Sequence, residues 1–227
     1  MDKISIIVPV LNEDKILQQT LSTLNLTKNE ELIVVDGGSR DRSVEIAQRF
    51  TKKIYITERG RARQMNYGAE RAEGDILLFL HADCILPKDA YGLIRKALQS
   101  GRYIAGAFDL KIDHPGVFFR LTEIAANIRS RMLSLVYGDQ GLFLKRETFK
   151  RIGGFPEIPL MEDIEISEKL REIGKIKFLR PPIRASARRW LKEGRLYTMV
   201  RDVTMAVVYL IFRPNPERLL RYYKDVR

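Results

Sequence analysis

The chain has 227 residues, 45% of them hydrophobic and 30% charged, which suits one soluble domain or one domain with an appendage. Its one cysteine, Cys84, excludes an intramolecular disulfide and fits a reducing compartment. No segment reaches the ~18 apolar residues that span a bilayer, and MDKISIIVPVLNE lacks the basic start and cleavage site of a secretory leader.

A cytoplasmic location is therefore expected, with the inner face of the cell membrane as a variant. The net charge is +11, and residues 180–227 hold twelve Lys and Arg against four Asp and Glu, a net of +8. A basic final quarter suits an anionic partner: phospholipid, a phosphorylated substrate or nucleic acid. Solvated helix faces account for it equally well.

The first hundred residues alternate. Strands are expected at 4–10, 31–36, 53–57 and 75–80. Helices are expected at 14–24, 39–50 (with Ser39 as N-cap), 61–72 and 88–100. This βαβαβαβ order implies an α/β fold, a mostly parallel sheet flanked by helices. The second half reads as a strand at 103–112 and a long amphipathic helix at 117–137. The helix carries Leu121, Ile124, Ala125, Ile128, Met132 and Leu135 at helical spacing. GDQGLFLKRETF then gives loop, strand and helix start, GGF a turn, and residues 164–173 a helix. A last strand is expected near 177–179, a helix at 194–212, and a final basic helix after Pro214-Asn-Pro216.

In open parallel sheets ligands bind beyond the carboxyl ends of the strands. Three polar clusters fall there: Asn12 and Glu13 after the first strand, Asp36 after the second, Asp83 after the fourth. No glycine follows the first strand, so neither a dinucleotide fingerprint nor a P-loop is present. Asp36-Gly37-Gly38 lets a backbone approach a flat ligand, with the carboxylate accepting from a base or ribose; it is equally a turn. Asp83 can hold Mg²⁺ or Mn²⁺ together with substrate phosphates, or simply open a turn before Pro87. Glu162 and Asp163 stand at a helix start, where the dipole favours negative charge. A carboxylate there can also serve as general base.

IIVPVLNE, VVDGGSRD, LFLHAD, GGF and MED, in this order and spacing, resemble a family 2 glycosyltransferase with the GT-A fold, from Ile4 to about Trp190. RGRARQMNYGAERAEGD and the His-Ala-Asp triplet resemble a small soluble subgroup. The resemblance implies an inverting, metal-dependent transferase using a nucleotide-diphosphate sugar, usually a uridine one. By that likeness Pro9, Asn12, Glu13, Asp36, Arg61, Arg63, Asn66 and Ala82 hold the nucleotide. Asp83 matches the last acid of the Asp-x-Asp metal motif, whose first Asp is replaced by His81, an accessory metal ligand. Asp163 matches the catalytic base, with Glu162 beside it. Asp139 is a candidate for sugar hydroxyls, equally a turn residue. Arg188, Arg189 and Trp190 partly match an Arg-Trp signature of processive members. Its leading residues are missing, so single transfers are expected.

The domain expectation is 1–190 for the GT-A unit, with a nucleotide half at 1–100 and an acceptor half at 101–190, and 191–227 for a basic amphipathic helical tail. That tail suggests a lipid-linked acceptor, a polyprenyl phosphate or glycolipid, met at a membrane surface. Packing on its own domain or in a homodimer is the alternative. Two rival functions stay open: a nucleotidyltransferase, which needs a Gly-rich basic loop that VPVLNE lacks, and a non-catalytic nucleotide-sugar binder.

Overall fold

The computed structural model describes residues 1–222, so the final basic helix lies partly outside the described residues. Four strands open the chain, β1 (Ile4–Val10), β2 (Glu30–Asp36), β3 (Ile54–Ile56) and β4 (Ile76–Phe79). Helices α1 (Leu17–Ser22), α2 (Ser43–Gln48) and α3 (Arg61–Glu70) connect them. Then follow β5 (Cys84–Ile85), α4 (Ala90–Gln99), β6 (Ala105–Asp113), α5 (Val117–Leu133), a 3₁₀ turn (Gly138–Gln140), β7 (Phe143–Lys145), α6 (Arg146–Arg151) and α7 (Glu162–Ile173). The described residues end with β8 (Ile176–Ser186), α8 (Arg188–Glu193), α9 (Arg195–Phe212), α10 (Pro216–Leu219) and a second 3₁₀ turn (Leu220–Tyr222).

The strands form one eight-stranded sheet in the order β3-β2-β1-β4-β7-β6-β8-β5. The first four pair in parallel; β7 runs antiparallel between β4 and β6, and β8 is parallel to β6. The alternation of β1 divides the core. Ile4, Ile6, Val8 and Val10 face one layer with Leu17, Leu21, Ile46, Ile94 and Phe119; Ile7 faces the other with Met65, Phe149, Ile166 and Leu170.

α3 lies close on the sheet because Gly68 has no side chain. A Cβ there would sit 2.6 Å from Ile7 Cγ2 and 3.1 Å from Val35 Cγ2, both in fully buried residues. Alanine gains about 1 kcal/mol of helix propensity over glycine. Overpacking against two branched, buried side chains costs about 1–3 kcal/mol. Gly68→Ala is therefore expected to lower the denaturant midpoint; a raised midpoint would show that α3 can lift off.

The expected helices 14–24 and 39–50 start late, for one reason. Their first residues build loops. Asn12 takes a left-handed φ of 53°. The backbone N–H groups of Asn12, Glu13 and Asp14 donate to Ser39 Oγ (2.8 Å), Ser43 Oγ (2.8 Å) and Asp41 Oδ2 (3.0 Å). Ser39 is thus no N-cap; α2 begins four residues later, at Ser43. α5 stops at Leu133 rather than 137 because Ser134 turns left-handed, φ 52°. The last strand is much longer than 177–179, and its register shifts where Pro182 pairs with Asp109. The tail is docked: Tyr209 donates to Glu165 (2.7 Å), Arg213 pairs with Glu165 (2.7 Å) and Glu168 (2.5 Å), and Met205, Ala206 and Tyr209 pack on Ile164 and Leu160 of the α7 region.

Candidate active site

The carboxyl ends of β1, β2 and β4 lie along one rim of the sheet. On this rim β4 ends in a turn in which Cys84 N–H donates to His81 O at 3.1 Å. The turn sets its two functional side chains apart. His81 lines a cavity with Tyr137, Gly138, Glu162 and Asp163. Asp83 lines another with Gln19, Thr20, Asp113, Arg184 and Ser186. The His81 ring lies against Gly138 so closely that a Cβ there would be 2.4 Å from His81 Cε1.

Glu162 and Asp163 open α7, where the preceding Met161 is left-handed, φ 70°. The two acids differ. Glu162 is buried and held by Arg61 Nε at 3.0 Å. Burial and the neighbouring Asp163 raise its pKa, against the pull of Arg61. Asp163 is half-buried, and its carboxylate accepts from Gly138 N–H (3.0 Å) and Ile164 N–H (2.9 Å). It is therefore oriented by backbone donors while keeping an accessible edge. Arg61→Gln would leave Glu162 buried beside Asp163 without its cation. Such a buried group costs about 1–3 kcal/mol. The loss is expected at neutral pH and should shrink in acid as Glu162 protonates, which melting temperatures across pH would show.

Asp139 ties the two sides together. Burial pushes its carboxyl up to about 6, Asp163 and Asp83 add to the rise, and Arg189 and Arg129 oppose it. Asp163 meets the 3₁₀ turn at Gly138 N–H, and Asp83 meets it through the Cys84 thiol, so the acids flank that turn from two separate cavities. Cys84 sits beneath them, fully buried, with Sγ 3.7 Å from Asp83 Oδ1 and 3.8 Å from the Asp139 carbonyl oxygen. Burial raises its thiol pKa well above the ordinary value.

The basic residues after β8 reach across this rim. Arg188 is hydrogen-bonded to the Glu13 carboxylate and stands 4.0 Å from Asp83 Oδ2. Arg189 pairs with Asp202 of α9 at 2.6 Å. Buried Arg201 links Asp202 (3.0 Å) to Glu193 (2.8 Å). Trp190 packs edge-on against Phe118 and Phe119, with ring centroids 6.3 and 6.1 Å away.

Other sequence candidates have different neighbours. The Asp36 carboxylate accepts from Gly38 N–H (2.9 Å), Ser39 N–H (2.8 Å) and Ser39 Oγ (2.5 Å), closing its own turn on the same rim. Asn12 Oδ1 accepts from Arg40 N–H (2.8 Å). Pro9 lies within β1, and Ala82 is buried in the turn. Arg63 pairs with Glu58 and with Glu157 (3.1 Å), and the Asn66 amide holds Phe155 N–H and C=O at 2.9 and 2.8 Å. Arg63 is thus held among exposed acids, while Asn66 fixes Phe155, which lines the cavity of Glu162 and Asp163. Two residues of the site carry no sequence signal: Arg129, whose guanidinium lies 3.9 Å over the Tyr137 ring, and Tyr137 itself. Among the described residues, the buried Tyr137 hydroxyl and Gln140 Nε2 have no hydrogen-bond partner.

A cation has only part of a shell here. Among the described residues no group of three or more His, Cys, Asp or Glu could hold a metal alone. Asp83 offers hard oxygen ligands, which fits Mg²⁺ or Mn²⁺ only in company with substrate phosphates.

A parallel sheet interrupted by the reversed strand β7 and edged by the reversed β5, with acids gathered at its rim, defines the class: this is the GT-A fold of nucleotide-sugar transferases. TarS of S. aureus in complex with UDP-GlcNAc superimposes with a TM-score of 0.65 at 19% identity, over 97% of this chain and 70% of that one. A mannosyltransferase of Pyrobaculum calidifontis in complex with GDP-Man and Mn²⁺ does so at 0.64 and 21% identity, over 82% of this chain and 56% of the other. The chain belongs to glycosyl transferase family 2, whose model matches residues 5–155. An uncharacterized glycosyltransferase of Haemophilus influenzae is 40% identical over 98 residues, 39% of each chain. The chain spans less than half the length of the curated relatives it matches.

Proposed function

We propose that this chain moves a sugar from a nucleoside-diphosphate donor to an acceptor hydroxyl or phosphate in one displacement with inversion, Asp163 serving as base. The observation that carries this reading is that Asp163 and Asp83 flank the turn that holds Asp139, at the rim where a GT-A sheet receives its nucleotide. Asp163 takes the proton of an acceptor hydroxyl as that oxygen attacks the anomeric carbon; the bond from that carbon to the donor diphosphate breaks on the opposite face. A carboxylate pinned by two backbone N–H groups keeps its orientation through the step. Glu162, locked to Arg61, positions the start of α7. The buried, unpartnered Tyr137 hydroxyl and the Asp139 carboxyl suit sugar hydroxyls.

Asp83 would hold a divalent cation together with the diphosphate oxygens, where the cation would neutralise the charge of the departing nucleotide. Arg188, half-buried beside Asp83 and Glu13, supplies positive charge on the same side. Asn12, Asp36 and the laced loops around them frame the nucleoside. The solved complexes with UDP-GlcNAc and GDP-Man support a uridine or guanosine donor. The basic tail supports a lipid-linked acceptor at the inner face of a membrane.

Melting a panel of nucleotide sugars with the chain, with and without Mn²⁺, tests the donor. A ligand at 100 times its Kd stabilises the native state by about 2.7 kcal/mol. One nucleotide sugar is expected to raise Tm, and more so with Mn²⁺. A flat panel would end the donor assignment; a rise indifferent to Mn²⁺ would end the cation assignment.

A further inference from the structure

Two helices turn apolar stripes away from the protein. On α5 the stripe is Val117, Leu121, Ile124, Ile128 and Met132. On α9 it is Leu196, Val200, Val203, Val207 and Ile211. Both follow the same spacing of four, three, four and four residues. All ten side chains are between 45% and 77% exposed. Scattered exposed aliphatics are ordinary; two continuous rows, each about 22 Å long at 1.5 Å per residue, are not.

The rows share one flank of the molecule. Thr122 Oγ1 of α5 meets Met199 Sδ of α9 at 4.0 Å, and the Arg195 guanidinium lies 5.5 Å over the Phe119 ring. At about 100° per residue, Thr122 and Met199 lie on the sides of their helices, between stripe and core. The inward faces are Phe119, Glu123 and Ser130 on α5 and Thr198, Met205 and Tyr209 on α9. Each stripe lies on the side of its helix opposite that inward face, so both point to solvent from helices that meet at their first turns. Neither stripe contains a charge. Exposed Lys192, Arg195 and Arg218 border the α9 stripe; Arg131 on α5 and Arg213 after α9 also stand at the borders but are paired with Asp109 and with Glu165 and Glu168.

We infer that α5 and α9 together form a docking surface for an anionic lipid bilayer. Apolar rows edged with Lys and Arg match an acyl boundary beneath negative headgroups. A second copy matches less well, because a two-fold contact sets one basic border against another. The inference names the partner for the membrane-proximal reading above, and it extends that reading from the tail to α5, within the family-matched region.

The test is flotation of the whole chain with phosphatidylcholine vesicles, with and without phosphatidylglycerol. It needs neither donor nor acceptor, so it fails separately from the glycosyl-transfer reading. The chain should float with the phosphatidylglycerol vesicles, and less at high salt. Leu121→Gln with Ile128→Gln, and separately Val203→Gln with Val207→Gln, should each reduce flotation about tenfold or more. Glutamine suits exposed helix positions, so Tm and nucleotide-sugar binding should hold; if one pair unfolds the chain, the pair on the other helix gives the answer. Absent flotation, equal flotation without phosphatidylglycerol, or unchanged flotation of both pairs overturns the inference. So does light scattering that shows a dimer which these variants split.

Discussion

The Asp163→Asn variant should transfer sugar about 10²–10⁴ times more slowly than the parent, the range typical for loss of a general base. The asparagine Oδ1 can accept from only one of the two backbone N–H groups, Gly138 or Ile164, so the turn and the donor pocket should survive with a small loss of stability. The effect therefore belongs in kcat, with donor affinity nearly unchanged. Glu162→Gln separates the neighbours. Its carboxylate is tied to Arg61 and buried, so it should affect Tm more than the chemical step. A normal rate in Asp163→Asn would move the base role elsewhere, with Asp139 the next acid in place. The product of the parent should show the anomeric configuration inverted, by proton NMR of the newly linked sugar.

The second large effect concerns stability. The Asp139 carboxyl stands at about 6 in the fold against an ordinary 3.8. Its folded pKa is raised, so the native state binds more protons than the unfolded chain between those values. Stability is then fully present below about pH 4, falls as pH rises to about 6, and stays lower above it. Asp139→Asn removes that penalty. With chelator present to exclude divalent cations, the variant should be more stable than the parent by about 1–3 kcal/mol at pH 8, with the gap closing near pH 4. A gap that persists unchanged in acid would show that packing, not charge, is responsible. Such a gain with reduced transfer would mark Asp139 as a group kept at a cost in stability for function.

The parallel half of the fold was legible because β1, β2 and β4 each centre on an apolar run buried on both faces, residues 6–8, 32–35 and 76–79. Helix starts were not. Ser39 and Asp14 look like capping and first-turn residues, and only the folded pair of loops reveals that they bond each other's neighbourhood. The acids of the site could be picked out singly, since strand ends and a helix start are local features. That Asp139 lies between Asp83 and Asp163 depends on the reversed strand β7 and the turn before it, which join segments more than fifty residues apart. Arg129 was invisible because a polar residue on an amphipathic helix has many ordinary uses. The stripe on α5 was read from its period, but period does not say inward or outward; the inward face is held instead by Phe119, Glu123 and Ser130.

The sealed thiol of Cys84 makes the chain a convenient host for reporters. With its sulfur enclosed and its ionisation suppressed, maleimide and iodoacetamide dyes have no native target in the folded chain. A probe attached through Ile128→Cys or Val207→Cys would then be the sole label, and its emission colour would register whether that spot sits in water or in oil.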